Sequence, residues 1–439
     1  MARRAGIVVV LWLAAACVYS LVFVADRSLV FALVDACLLA AGAYVLLRNE
    51  PRRELWIALA VIAAVAATQW LVTDKNGIWL DETNYLATLQ AGYPLHHGTL
   101  PFSVRWLEPV LAGPLNILPA RGADALKAIN FGGLVVAATC LVRIGERLGV
   151  RRTIALALPA FFLCSYLGTY AASNRLVVDP FNYALFAIIL YELVADSGER
   201  ALRWTLLVAA CNSEKTIYWI PIIALVQLLD GPTRDWRAAA RATLRTCAPM
   251  VAYFATIAIY VHGSPVADSG VFPEQIYRLG LGSLAPQLTD PVAADTTFQM
   301  LWLPFGAFTV FALLALVFGP RRLKIVGLIA VPLVAQVVVA HDAQRMIAYT
   351  FVVYLPLGAV YLERALGKLP RRLGAALFFG LVATAIGEVY LIPFCRLAGH
   401  GLGVVSRHRD VIQPALFVLE LVLAGTLVWL HLTLYEARE

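Results

Sequence analysis

Long apolar stretches with very few charges dominate this chain. Fourteen apolar segments can be read, at about 5–24, 28–47, 54–73, 124–142, 153–172, 177–195, 203–213, 215–229, 246–262, 298–319, 323–340, 346–363, 373–393 and 411–434. The hydrocarbon core of a bilayer takes about 20 helical residues to cross, and backbone inside it must satisfy its own hydrogen bonds. The chain therefore reads as all-α, a polytopic transmembrane helix bundle of about 12–14 spans. Two segments, 203–213 and 215–229, are each too short to cross, and read as a hairpin turning at Asn212-Ser213-Glu214-Lys215. The stretch 103–119 is apolar but carries Pro109, Pro114 and Pro119, which suits an interfacial or re-entrant piece better than a span.

Composition excludes the other broad classes. Charged residues make up 14% of the 439, against about 25% in soluble domains. That shortfall leaves no room for an ordinary soluble enzyme, a nucleic-acid binder or a disordered chain. The seven cysteines form no CxxC pair, and most lie in apolar stretches, where cysteine behaves as a small hydrophobe. Met1-Ala-Arg-Arg followed by an apolar run resembles a signal peptide and reads here as an uncleaved first helix.

The net charge of +7 matters less than where the charges sit. With the N-terminus in the cytoplasm, 23 of the 35 Lys and Arg fall in short inner loops, Arg143, Arg151, Arg237, Arg321 and Arg371 among them. The other 12 are spread over longer outer loops. This satisfies the positive-inside rule, and it requires the 203–229 hairpin: read as one span, that segment would invert every later loop. The chain divides into an N-terminal hairpin at 1–53, a membrane core at 54–363 with outer loops 74–123 and 263–297, and a C-terminal hairpin at 364–439.

The inner loops hold basic clusters and little else, whereas the outer face collects unusual polar residues. They include Asp81-Glu82, His96-His97, Arg105-Trp106, Ser173-Asn174-Arg175, Asp179, Glu214-Lys215 and His341-Asp342-Ala343-Gln344-Arg345. Ionisable groups at membrane depth are expensive and tend to mark functional sites. Asp81-Glu82 reads either as a general base or metal ligand, or as a helix N-terminus. Arg105 suits a bidentate phosphate contact, or an interfacial anchor beside Trp106. Lys215 either neutralises Glu214 or faces an anionic lipid headgroup, and Asp342 and Arg345 have the spacing of a local helical pair. Adjacent His96 and His97 point apart and make a poor two-ligand metal site. Four carboxylates, Asp35, Glu192, Glu388 and Glu420, fall inside spans, and pairing with a polar partner suits them better than a proton relay.

Together these short motifs resemble the polytopic GT-C-type glycosyltransferase superfamily, which depends on polyprenyl-phosphate-linked sugars. Asp81-Glu82-Thr83-Asn84-Tyr85 is similar to its opening motif, Asp179-Pro180-Phe181-Asn182-Tyr183 to the head of a later span, and Ser213-Glu214-Lys215-Thr216-Ile217 to its hairpin segment. His341-Asp342 with Arg345 resembles the Asp-x-x-Arg segment farther on. The Asp-Glu loop follows the third apolar segment rather than the first, which an added N-terminal hairpin explains.

The resemblance implies a membrane glycosyltransferase that moves a sugar from a polyprenyl-phosphate donor to a lipid or cell-envelope glycan acceptor, with inversion. It implies Asp81 as catalytic base, with Glu82 assisting or holding a divalent metal ion. Lys215, Arg105 and Arg345 would meet the donor phosphate. Tyr85, His96, His97, Asp179, Glu214, His341 and Asp342 would line the cavity. Membrane lipid is an expected partner and nucleic acid is not. The excess of Arg over Lys and the lack of Asn-x-Ser/Thr sites fit a bacterial inner (plasma) membrane, with the site facing the periplasm or exterior. The alternative is a transporter or lipid flippase, which would want polar groups at the midplane and access from both sides.

Overall fold

The structure is a computed structural model that describes residues 80–91, 105–116, 122–163, 165, 168, 171, 176–195, 197–230, 235–262, 305–335, 348–389 and 409–436. The segments at 5–24, 28–47 and 54–73, the loop 263–297 and residues 74–79, 92–104 and 117–121 of the loop 74–123 lie outside the described residues. Among the described residues all regular structure is helical.

The main helices are α1 (Leu80–Ala91), α2 (Leu107–Asn116), α3 (Gly122–Arg147), α4 (Asp179–Ala195), α5 (Glu199–Asn212), α6 (Trp219–Asp230), α7 (Trp236–His262), α8 (Ala307–Phe318), α9 (Arg321–Leu328), α10 (Phe351–Gly367), α11 (Arg371–Val389) and α12 (Arg409–Glu436). Among the described residues three stretches, Ala123–Arg147, Trp236–Ile259 and Ala415–Thr433, are long and apolar enough to cross a bilayer. Within the segment expected at 153–172, the described residues include the short helices Arg152–Ala155 and Leu158–Leu163.

The expected hairpin forms. The chain leaves α5 at Ser213, makes one 3-10 turn over Glu214–Tyr218, and re-enters α6. Both arms pack on α7 more than on each other. Their return to the starting end is fixed by two arginines on consecutive residues of α9: Arg321 donates to the Leu229 carbonyl at the end of α6, and Arg322 Nη2 to the Val194 carbonyl at the end of α4, at 2.7 Å. Arg364 Nη1 donates likewise to Phe318 O at 3.1 Å. The last carbonyls of a helix lack intrahelical partners and carry the negative end of its dipole, so arginine suits them. The same end carries the Arg151–Glu363 pair. Three basic residues of the predicted inner loops, Arg321, Arg322 and Arg364, are thus also caps of helix ends.

In lipid, helices gain little by hiding apolar surface from each other, and close packing with polar contacts holds them together. Helices α3 and α4 approach so closely at Gly133 that a Cβ there would sit 2.8 Å from both Phe181 Cα and Pro180 O. A buried aromatic layer joins several of these helices. Phe162 stacks on Phe351 at 4.7 Å, Tyr183 meets Tyr349 edge-on at 5.0 Å, and Phe186 meets Trp219 at 5.5 Å between ring centroids. Such pairs add about 0.5–1.5 kcal/mol each beyond the area they bury.

Two of the carboxylates inside spans find polar partners. Glu192 Oε1 accepts from the Thr205 hydroxyl at 2.9 Å. Glu420 of α12 accepts from Ala307 N, the first helical amide of α8, at 2.8 Å. It thereby caps α8 from another helix. Gly306, at φ +50°, has a backbone that favours glycine, and a Cβ there would push the Glu420 carboxylate off its cap. The side chains of Asp35 and Glu388 lie outside the described residues.

Candidate active site

The end of the bundle opposite the arginine caps holds a cluster of buried polar side chains drawn from six parts of the chain. Helix α4 begins there with Asp179-Pro180. Proline is at home in a helix's first turn because its missing N–H would have no partner there, and a carboxylate suits the positive end of the dipole. Asn182 follows one turn on, on the same face. The hairpin tip is set by Ser213, whose hydroxyl accepts from Lys215 N at 3.3 Å and closes the 3-10 turn. That turn sends Glu214 and Lys215 to different partners.

Lys215 goes inward. Its Nζ lies 3.1 Å from Asp179 Oδ1 and 3.2 Å from the Tyr349 hydroxyl, which itself donates to Asp179 Oδ1. Asp179 is fully buried and Lys215 nearly so. Asn182 Nδ2 reaches the Tyr349 hydroxyl at 3.4 Å, and Asn212 Nδ2 donates to Asn182 Oδ1 at 2.7 Å. Tyr349 stands just before α10 and Asn212 ends α5, so the network ties α4, α5, the hairpin tip and α10 together.

Glu214 goes toward the α2 side. Arg105 grips it with two nitrogens, Nε at 2.8 Å from Oε2 and Nη2 on Oε1. Arg105 Nη1 also donates to the Tyr85 hydroxyl of α1 at 2.7 Å. Burial pushes the Glu214 carboxyl up, but the Arg105 guanidinium outweighs it and Lys215 adds to the pull, which holds the group at about 2. Next to Arg105, Trp106 Nε1 donates to Tyr253 of α7 at 2.9 Å. This places Trp106 in an inter-helix contact within the protein.

One further carboxyl lies in this region. Glu108, in the first turn of α2, is fully buried and accepts from Asn130 Nδ2 at 2.6 Å. The other face of that amide, Asn130 Oδ1, accepts from Phe181 N at 3.2 Å.

The structure therefore brings Tyr85, Arg105, Asp179, Glu214 and Lys215 together, from positions 85 to 215. Asp81 and Glu82 fall in the first turn of α1, one turn before Tyr85 in the case of Asp81, and their side chains lie outside the described residues. His96, His97, His341, Asp342 and Arg345 also lie outside them. Among the described residues no three His, Cys, Asp or Glu side chains cluster so as to hold a metal ion. Sequence reasoning did not nominate Tyr349, Asn182, Asn212, Glu108 or Asn130. For the asparagines the available signal was an amide inside an apolar run. Tyr349 gave none beyond its place at the head of a span, because a tyrosine there is an ordinary interfacial anchor.

Beside this cluster an apolar cavity of about 330 Å³ opens between α2, α3 and α4, lined by Leu111, Ile129, Gly133, Val136, Phe181 and Ile188 among others.

No protein-family model and no curated protein sequence matches the chain. Among solved structures it is similar to the crystal structure of ArnT from Cupriavidus metallidurans bound to undecaprenyl phosphate, with a TM-score of 0.53 and 14% identity over 86% of this chain and 76% of that one. It matches the apo crystal structure of the same protein equally, at TM-score 0.53 and 14% identity, covering 86% and 75% of the two chains. At this identity the likeness shows the fold: the chain has the GT-C architecture of a polytopic membrane protein.

Proposed function

We propose that this protein is a membrane glycosyltransferase that moves a sugar from a polyprenyl-phosphate donor to a lipid or cell-envelope glycan acceptor, inverting the anomeric centre, on the periplasmic or outer face of a bacterial inner membrane. The observation that carries the reading is the buried Lys215–Asp179–Tyr349 cluster, on a GT-C fold, beside an apolar cavity at the same end of the bundle. The similar ArnT structure holds undecaprenyl phosphate, a lipid with an anionic head and an isoprenoid tail, which supports a donor of that class. A donor of this kind needs cations at its phosphate and apolar surface along its chain, and this end of the molecule supplies both.

In this reading the acceptor hydroxyl gives its proton to Asp81, and its oxygen forms a bond to the anomeric carbon. The bond from that carbon to the phosphate oxygen breaks on the opposite face, and polyprenyl phosphate departs. Negative charge develops on the departing phosphate, where preorganised cations lower the barrier. An ammonium has three protons, so Lys215 can serve a phosphate while it keeps Asp179; the neutral Tyr349 hydroxyl is the weaker competitor for it. Arg105, already oriented by Glu214 and Tyr85, lies on the α1 side, where Asp81 sits one turn from Tyr85. Arg345 completes the phosphate contacts. Glu82 assists Asp81 or holds a divalent metal ion.

The lipid that copurifies with the full chain tests this reading. Extraction into organic solvent and mass spectrometry are expected to find a polyprenyl phosphate or its glycosylated form. Bulk phospholipid alone, with no binding of added polyprenyl phosphate, would overturn the donor class. Movement of a polyprenyl-phosphate sugar across proteoliposomes without transfer of the sugar would favour a flippase instead.

A further inference from the structure

We propose that Glu108 is a positioning residue that sets the place of Asp179, acting through the Asn130 amide and the first turn of α4. The proposal rests on the glycosyltransferase reading for its kinetic consequence but not for its structural one.

The chain of contacts is short and closed to water. Glu108 and Asn130 are 0% and 2% exposed. A helix begins with amides that have no intrahelical partner, and Phe181 N is one of these in α4. Asn130, on α3, satisfies it with Oδ1 at 3.2 Å. An asparagine amide has one acceptor end and one donor end, so an acceptor placed at its NH₂ favours the orientation that turns Oδ1 to Phe181 N. Glu108 Oε1 does so at 2.6 Å. Without Glu108 the NH₂ loses this short bond, and the hold of the amide on Phe181 N weakens.

The junction has no slack in the other direction. Gly133, one turn after Asn130 on α3, already lets Pro180 and Phe181 come within 2.8 Å of where a Cβ would be. Helix α4 is thus pressed against α3 at the two residues after Asp179 and tied to it by the Asn130–Phe181 bond. Asp179 in turn carries the Lys215 ammonium. A shift of α4 by a fraction of an ångström would pass directly to the Asp179–Lys215–Tyr349 cluster.

Glu108 fits this task as a neutral acid. Its second oxygen, Oε2, is buried without a hydrogen-bond partner, which an ionised carboxylate could not afford. Burial pushes its carboxyl well above the usual range, and the Asp179 charge adds to the push against the Asn130 hydrogen bond. A neutral Glu108 leaves Lys215 to Asp179, and the cluster balances two cations, Lys215 and Arg105, against two carboxylates, Asp179 and Glu214.

The test compares Glu108→Gln, Glu108→Ala and Glu108→Met in the purified full chain in nanodiscs. Glutamine keeps an acceptor for Asn130 and the neutral shape; alanine and methionine keep neither acceptor, and methionine keeps most of the volume if the alanine protein folds poorly. Hydrogen exchange over the peptide spanning 176–190 reads the positioning directly, without substrate. Exchange there is expected to rise in Ala and Met and to stay at the parental rate in Gln. Sugar transfer is expected to fall in kcat by about 10–100-fold in Ala and Met at unchanged KM for the donor, and by no more than about threefold in Gln. Parental exchange in both Ala and Met, or a Gln protein as impaired as the Ala protein, would overturn the proposal. A parental protein that transfers no sugar would instead count against the glycosyltransferase reading, while the exchange result would still decide the role of Glu108.

Discussion

The Lys215 ammonium lies 3.1 Å from the Asp179 carboxylate, across a gap that no local sequence relationship spans. One residue starts α4 and the other sits at the tip of the α5–α6 hairpin. Both are buried, so neither charge can fall back on water if its partner is removed.

Loss of either partner should therefore cost more than loss of both. Removing one member of a buried pair leaves an uncompensated charge, at about 3–5 kcal/mol, whereas an apolar or neutral replacement of both is often near neutral. Asp179→Asn and Lys215→Met alone are expected to lower thermal stability strongly in detergent. The double variant should recover much of the loss and still fail to transfer sugar. A double variant as unstable as the sum of the singles would show that the two side chains do not act as a pair.

Glu214 gives a pH dependence with a definite sign. Its carboxyl is depressed to about 2 in the folded protein, against about 4.5 for a free glutamate. The stability it contributes is thus present above about pH 4.5 and is lost as pH falls toward about 2. Melting temperature against pH should drop through that window in the parental protein. Glu214→Gln should show a smaller drop, starting from a lower plateau. Parallel curves for the two proteins would mean that the Arg105–Glu214 contact does not contribute.

Glu420 is expected to be a structural cap with no part in proton movement. Glu420→Ala leaves the Ala307 amide of α8 without its partner, at about 1–3 kcal/mol. Glu420→Gln keeps an acceptor and should be nearly as stable as the parental protein, with undiminished transfer. Gly306→Ala should destabilise through its positive φ and its collision with the Glu420 carboxylate. A Glu420→Gln protein that folds normally but loses turnover would assign this residue to the chemistry instead.

Much of this arrangement could be read from the chain before its coordinates, for identifiable reasons. Spans announce themselves because a bilayer penalises every charge, and the 203–229 hairpin followed from two segments too short to cross, with the charge distribution in support. The Arg321 and Arg322 contacts to Leu229 and Val194 then show what arginine does at that end of the bundle. Asp179, Glu214, Lys215 and Arg105 stood out for the same reason, as charges at the mouths of spans. The pairing was not legible. Glu214 and Lys215 are neighbours, and mutual neutralisation was one open reading. In the fold each has its own partner, because the 3-10 turn sends them different ways and the long-range contacts to Arg105 and Asp179 depend on how α2 and α4 pack. Glu108 was hidden for a related reason: its partner Asn130 lies on α3, 22 residues on, and only the packing of α2 against α3 brings them together.

The most direct test of the account is sugar transfer by the Asp81→Asn protein, followed with a labelled polyprenyl-phosphate sugar in nanodiscs beside the parental protein. The parental protein should transfer label to acceptor and release polyprenyl phosphate. Asp81→Asn should fold normally, as judged by its melting temperature, and lose transfer by about 100-fold or more, the scale of a missing general base. Turnover retained in Asp81→Asn, and retained again when Glu82→Gln is added, would contradict the assignment of that loop as the catalytic centre.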